Sequence, residues 1–214
     1  MARILACTVG GFWACARFPR LAARTLRTSR HGTLVILTIA AMSWPLAATA
    51  GKDETAPITA RSGLEAARDA ARSWAADARL VYLENDENVG PDGTATRWGY
   101  LFFSEGLGTT RGYSVRDGRL EEASDLGFDF EAPPVSDDWI DSGAALVVAE
   151  KKAGARYRTE SGGHLATMLL IRGAFHDEKP DETTWALVYT ADHAPALFVV
   201  IDAKNGDVVK TWRG

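Results

Sequence analysis

Residues 184–212 read Thr184-Trp-Ala-Leu-Val-Tyr-Thr190, then Ala191-Asp-His-Ala-Pro195, then Ala196-Leu-Phe-Val-Val-Ile-Asp-Ala-Lys-Asn-Gly-Asp-Val-Val-Lys-Thr-Trp212. Two apolar runs rich in Val, Ile, Phe and Tyr are parted by a polar break that holds Pro195. That pattern predicts an antiparallel pair of strands. The second run meets Asn205-Gly206, a dipeptide that tolerates φ > 0, so a two-residue turn is expected there. Val208 and Val209 resume beyond it as a third strand. The same order occurs earlier, as Trp98-Gly-Tyr-Leu-Phe-Phe103, a break, Gly112-Tyr-Ser-Val-Arg116, and then Asp117-Gly118-Arg119-Leu120. Each meander needs a partner layer to cover one face.

A helix precedes each meander. Ser62-Gly-Leu-Glu65 has the form of a capping box. Leu64, Ala67, Ala71, Trp74 and Ala78 follow at helical spacing, with Glu65, Arg68, Asp69 and Arg72 on the other side. Leu80–Leu83 reads as a short strand, and Asn85–Gly93 as a loop. Residues 124–136 hold Pro133-Pro134 together with Phe128 and Phe130, the composition of a connector packed on the domain. Ser136-Asp137-Asp138 offers caps for a second helix whose apolar stripe is Ile140, Ala144, Val147 and Val148. Lys151-Lys152 lie near its C-terminus and Gly154 is its expected stop. His164–Arg172 is a strand, and His176–Glu182 a polar loop.

The halves run in parallel. Trp98 answers to Trp185, 87 residues on; Gly118 to Gly206, 88 on; Ser62-Gly63 to Ser142-Gly143, 80 on. This predicts a duplication. The expected architecture is α+β, with two helix-plus-antiparallel-sheet units in tandem. The first spans residues 51–123, the packed connector 124–136, and the second unit 137–214.

Phe198-Val-Val-Ile-Asp-Ala-Lys-Asn-Gly-Asp-Val-Val209 resembles the terminal turn segment of the PepSY family, and Arg111–Leu120 is a shorter version of it. The resemblance covers two copies between Thr59 and Trp212. It implies PepSY- or cystatin-like units of exported bacterial proteins, some of which occur in propeptides of secreted peptidases, with inhibition or chaperoning as the proposed role. No peptidase is attached here.

The first fifty residues differ in kind. They carry six arginines (Arg3, Arg17, Arg20, Arg24, Arg27, Arg30) and no acidic residue. An apolar run from Leu34 to Ala48 then closes on Ala48-Thr49-Ala50. This is the order of a signal peptide, residues 1–50, with cleavage expected before Gly51. A retained anchor is the alternative, although the run is short for a span and contains Pro45. Removing the presequence leaves 18 basic against 28 acidic residues, a net charge of −10. That balance argues against nucleic acid and anionic lipid as partners. Both cysteines, Cys7 and Cys15, belong to the presequence, so the mature chain has no disulfide and no thiol nucleophile. A periplasmic or secreted location follows.

Chemistry-bearing residues are few. His176-Asp177-Glu178 with His193 offers nitrogen and oxygen ligands to a metal, but two solvated loop histidines are the plainer reading; His164 is the third mature histidine. Asp137, Asp138 and Asp141 offer paired carboxylates, yet a helix N-terminus accounts for acids there without chemistry. Glu84-Asn-Asp86-Glu87-Asn88 has calcium-ligand composition without the spacing of a calcium loop. No serine sits in a G-x-S-x-G context and no glycine loop for phosphate occurs. Trp98 and Trp185 read as core anchors, with an exposed stacking surface as the other possibility. No catalytic, metal or cofactor residue is assigned and no cofactor is expected. The expected function is non-catalytic binding, inhibition or chaperoning of a peptide or protein partner in the envelope, by strand addition at an open sheet edge. The alternative is a small metal-dependent hydrolase using His176 and His193.

Overall fold

A computed structural model describes residues 56–126, 130, 132–176 and 179–214. The expected signal peptide, its cleavage point, Phe128, Asp177 and Glu178 lie outside them. The fold is α+β. Eight antiparallel strands form one sheet: β1 Arg79–Asn85, β2 Arg97–Ser104, β3 Thr109–Arg116, β4 Arg119–Asp125, β5 His164–Arg172, β6 Thr183–Ala191, β7 Ala194–Asp202 and β8 Val208–Arg213. Their order is β4-β3-β2-β1-β5-β6-β7-β8, so two four-strand meanders share one sheet and do not form two separate ones. They join at a seam of three residue pairs, Tyr82↔Ile171, Leu83↔Leu170 and Glu84↔Leu169. Among the described residues no helix is long and apolar enough to cross a membrane.

One face of the sheet is covered by helices. Helix α1, Leu64–Trp74, buries Leu64, Ala67 and Ala71. Helix α2, Ser142–Ala149, runs through a π turn at Glu150–Gly154 into α3, Ala155–Ser161. It buries Leu146, Ala149 and Ala153 in the same Leu-x-x-Ala-x-x-x-Ala spacing, 82 residues later. Trp98, Tyr100, Phe102 and Tyr113 from the first meander and Trp185, Leu187, Tyr189 and Ile201 from the second fill the layer beneath. Each such side chain contributes about 1.5–3 kcal/mol by leaving water. On the helix-free face the connector lies over β1, with Phe130 packed edge-on against Tyr82 at 5.7 Å.

Strand irregularities recur in both halves. An extra residue, Val81, interrupts the β1–β2 ladder between Leu80↔Phe102 and Tyr82↔Leu101. Ala166 does the same between Leu165↔Tyr189 and Thr167↔Val188, 85 residues on. Glu121 bulges between Val115↔Leu120 and Ser114↔Glu122, and Val209 between Ile201↔Val208 and Val200↔Lys210, 88 residues on. Each bulge flips the inward parity of its strand. The helix-covered face therefore receives Leu80 and Leu83 in β1, and Leu165 and Met168 in β5.

Several local expectations are corrected. No capping box forms: Gly63 is the N-cap of α1 without a side-chain bond, Ser62 Oγ donates to Thr59 O at 2.9 Å, and Glu65 pairs with Arg68. The helix stops at Trp74, short of Ala78. The second helix begins after Asp141, whose carboxylate accepts the Ser142 N–H at 2.7 Å, and not at Ser136–Asp138. That start turns Ala144 and Val147 to solvent, Val147 being 68% exposed, and turns Ala145, Leu146 and Ala149 inward. Gly154 does not end the helix. A Cβ there would lie 2.4 Å from Tyr189 Oη, so glycine admits a packed tyrosine, and the chain turns out of the helix only at Gly162. Asn205-Gly206 is not a two-residue turn but the centre of a five-residue loop, residues 203–207. The two-residue turn is Asp117-Gly118, where both residues have positive φ, 49° and 68°.

Candidate functional site

The second meander ends in a built loop and an edge strand. Asp202, 5% exposed, places Oδ1 to accept the N–H of Lys204 at 2.9 Å and of Asn205 at 3.4 Å. Asn205 Oδ1 accepts the Asp207 N–H at 2.8 Å, and the Gly206 N–H reaches Asp202 O at 2.9 Å. Gly206 sits at φ +79°, open to glycine at little cost. The loop walls a cleft of about 360 Å³ that His176, Lys179, Val208, Val209 and Lys210 also line.

Among the described residues strand β8 has β7 on one side and no strand on the other. The Gly214 N–H donates to Ala196 O at 3.0 Å. Residues of that parity, 210 and 212, therefore bond to β7, and the N–H and C=O groups of Thr211 and Arg213 face outward. On the helix-free face Trp212 stacks on Phe198 with centroids 4.7 Å apart and planes 3° from parallel, and Lys210 Nζ lies 5.6 Å from the indole. On the helix side Arg213 lies over Tyr157 at 5.3 Å, and Tyr157 Oη donates to Pro195 O at 2.9 Å. The edge thus has rigid aromatic support on both faces.

The opposite edge differs. β4 reads Arg119-Leu-Glu-Glu-Ala-Ser-Asp125, and all but Ser124 are exposed. Glu121 holds Arg97 at 3.4 Å and Arg116 at 2.9 Å, and Asp125 holds Arg111 at 3.4 Å. A charged edge of this kind resists strand pairing.

No protein-family model matches the chain, and no curated protein matches it in sequence.

The remaining candidates are scattered. His176 follows β5 and His193 lies in the β6–β7 turn, so they stand at opposite ends of β6, roughly 30 Å apart at about 3.3 Å per residue. At that separation the two histidines of one chain cannot share one ion. His176 Nδ1 accepts the Lys179 N–H at 3.1 Å, and His164 Nε2 is 3.5 Å from Thr190 Oγ1. Among the described residues no group of three or more His, Cys, Asp or Glu is arranged to hold a metal. Asp137 faces Arg68 at 3.4 Å, Asp138 faces Lys204 at 2.8 Å, and Asp141 also accepts the Arg61 N–H at 3.0 Å. The three acids therefore serve three different partners. The acidic segment at Glu84 is no calcium loop: Glu84 ends up 6% exposed inside β1, the Asp86 side chain is 1% exposed, and Glu87 pairs with Arg116 at 2.5 Å. Trp98 and Trp185 are fully buried anchors. The half-buried stack is Phe198–Trp212, which the sequence signals only through the alternation Phe198-x-Val200 facing Lys210-x-Trp212.

Proposed function

We propose that this protein is an exported, non-catalytic binding module that takes up an extended peptide segment along the free edge of β8. The carrying observation is that edge: outward backbone groups at Thr211 and Arg213, an aromatic stack beside them, and a cleft at the strand's start. A guest strand would complete the ladder, and its alternate side chains would lie over the Phe198–Trp212 stack and into the cleft beside Lys179. Affinity would come from main-chain bonds and selectivity from those two places. The partner is a peptide or protein of the bacterial envelope, and the location is periplasmic or secreted. The matching bulges and the twin Leu-x-x-Ala-x-x-x-Ala helices support reading the halves as two copies of one unit, of PepSY-like kind.

The experiment is retention of a random linear peptide library on the purified protein, compared with a Thr211→Pro variant. Proline removes one outward N–H and no ladder bond to β7, a position that edge strands accept. Retention by the native protein, lost in the variant, supports strand addition. Equal retention by both sinks it, as does a bound peptide that leaves the β8 amides unprotected from exchange.

A further inference from the structure

The two meanders meet along only three residue pairs, and Glu84 occupies one of them. Its side chain is on the helix-free face with Tyr82, whose hydroxyl donates to Glu84 Oε2 at 2.7 Å. Across the seam it faces Leu169, and Tyr82 faces Ile171. Asp86 follows on the same face, accepting Ser114 Oγ at 2.6 Å and lying 3.4 Å from Arg97 Nε. The bulges place each of these residues against a counterpart in the second meander. Tyr82 answers to Thr167, Glu84 to Leu169, Asp86 to Ile171, Gly99 to Ala186 and Ser114 to Val200. The second meander fills the same positions with largely apolar side chains. The architecture therefore does not demand a carboxyl at position 84, and burying one there is costly.

We propose that the β1–β5 seam is a pH-sensitive hinge between the two halves, tight while Glu84 holds its proton and loosened when it ionises. A neutral carboxyl fits beside Leu169 and Tyr82. A carboxylate there has Tyr82 as its donor, Asp86 as a like charge on its own strand, Arg97 of β2 engaged with Asp86, and the apolar Leu169 of β5 across the seam. Hydrating it requires the seam to open. Burial lifts this carboxyl to about 7, the Tyr82 bond opposing the rise and the Asp86 charge adding to it. The other seam tie is Asn85, which accepts the Met168 N–H at 2.6 Å and donates to Ala166 O at 3.2 Å. It carries no titrating group, so it sets a pH-independent floor. The device rests on none of the residues assigned to peptide uptake.

The test is residue-resolved amide exchange on the purified protein between pH 5.5 and 8, corrected for intrinsic rates. Protection at Leu83, Met168 and Leu170, whose N–H groups face the seam, should fall about tenfold or more, one pH unit of linkage being a tenfold change. Amides in the β2–β3 and β6–β7 ladders should change far less, and Glu84→Gln should flatten the seam response. If that variant does not fold, Glu84→Leu copies the residue of the second meander. The carboxyl carbon of Glu84, followed in the native protein, needs no variant at all. A seam that keeps its protection, a loss shared equally by all ladders, an unchanged response in Glu84→Gln, or a Glu84 midpoint in the ordinary carboxylate range would each overturn the proposal.

Discussion

Trp185 donates its indole N–H to the carbonyl of Ile140 at 2.8 Å, tying β6 to the segment that enters the second helix. Trp98 makes the same tie to Ile58 at 2.8 Å, ahead of the first helix. Both indoles are fully buried. Trp185→Phe should cost about 2–4 kcal/mol, combining an acceptor left without its donor and a partly filled cavity. Trp98→Phe should cost a similar amount, and the double variant about the sum, since no contact is shared. Urea denaturation of the three variants checks this. A strongly sub-additive double would mean that the two halves unfold separately.

Gly206→Val should destabilise by about 1–3 kcal/mol through backbone strain at φ +79°. Space is not the reason, since a Cβ there meets Ile140 and Val148 side chains at ordinary distances, 3.5 and 3.8 Å. Lys204→Ala should stay within about 0.5 kcal/mol, because its pair with Asp138 is exposed. Equal denaturation midpoints for Gly206→Val and the native protein would contradict the loop geometry.

Thr211→Pro should fold with a loss of no more than about 1 kcal/mol, as surface changes away from special features do. Calorimetry decides it. A collapse of the melting transition would place the Thr211 N–H inside the sheet, not outside it.

Stability should fall as pH rises from about 4.5 to about 7. Above the first value the unfolded chain releases the Glu84 proton; the native chain keeps it until the second. Between them the native state binds more protons, so the slope of stability against pH is negative, and beyond 7 it flattens. The total is on the order of 3 kcal/mol. Glu84→Gln should lack this decline, so the gap between variant and native protein should widen from pH 5 to pH 8. A gap constant with pH would remove Glu84 from the account.

Strands read well from sequence because their signal is local. The stretch His164–Arg172 gives β5 its full length, and the runs opened by Trp98 and Trp185 give β2 and β6. The union of the two meanders has no local signal, since Leu83 and Leu170 pair across 87 residues of chain. Ser62-Gly63 and Ser142-Gly143 are poor anchors; the matching burial spacing of the helices starts at Leu64 and at Leu146. Asn205-Gly206 fails as a tight turn because Asp202 caps a longer loop with its carboxylate. Glu84 hides for another reason. Its acidic neighbours read as part of a loop, whereas β1 runs on through Asn85 and strand parity sends Glu84 and Asp86 under cover together.

The mirrored strand order has a consequence for how the chain assembles. Seven ladders join in the sheet, and six link strands that are adjacent in sequence; only β1 with β5 waits for a distant segment. Low sequence separation favours rapid local formation, so each meander should zip up early, with the seam closing last. Until then the first meander presents the bare flank of β1, Tyr82 and Leu83 included, to whatever arrives. At high concentration the β5 flank of another molecule competes for it. Refolding at rising protein concentration is expected to yield a swapped dimer in which each seam is built from two chains, and slow, dilute refolding to yield none.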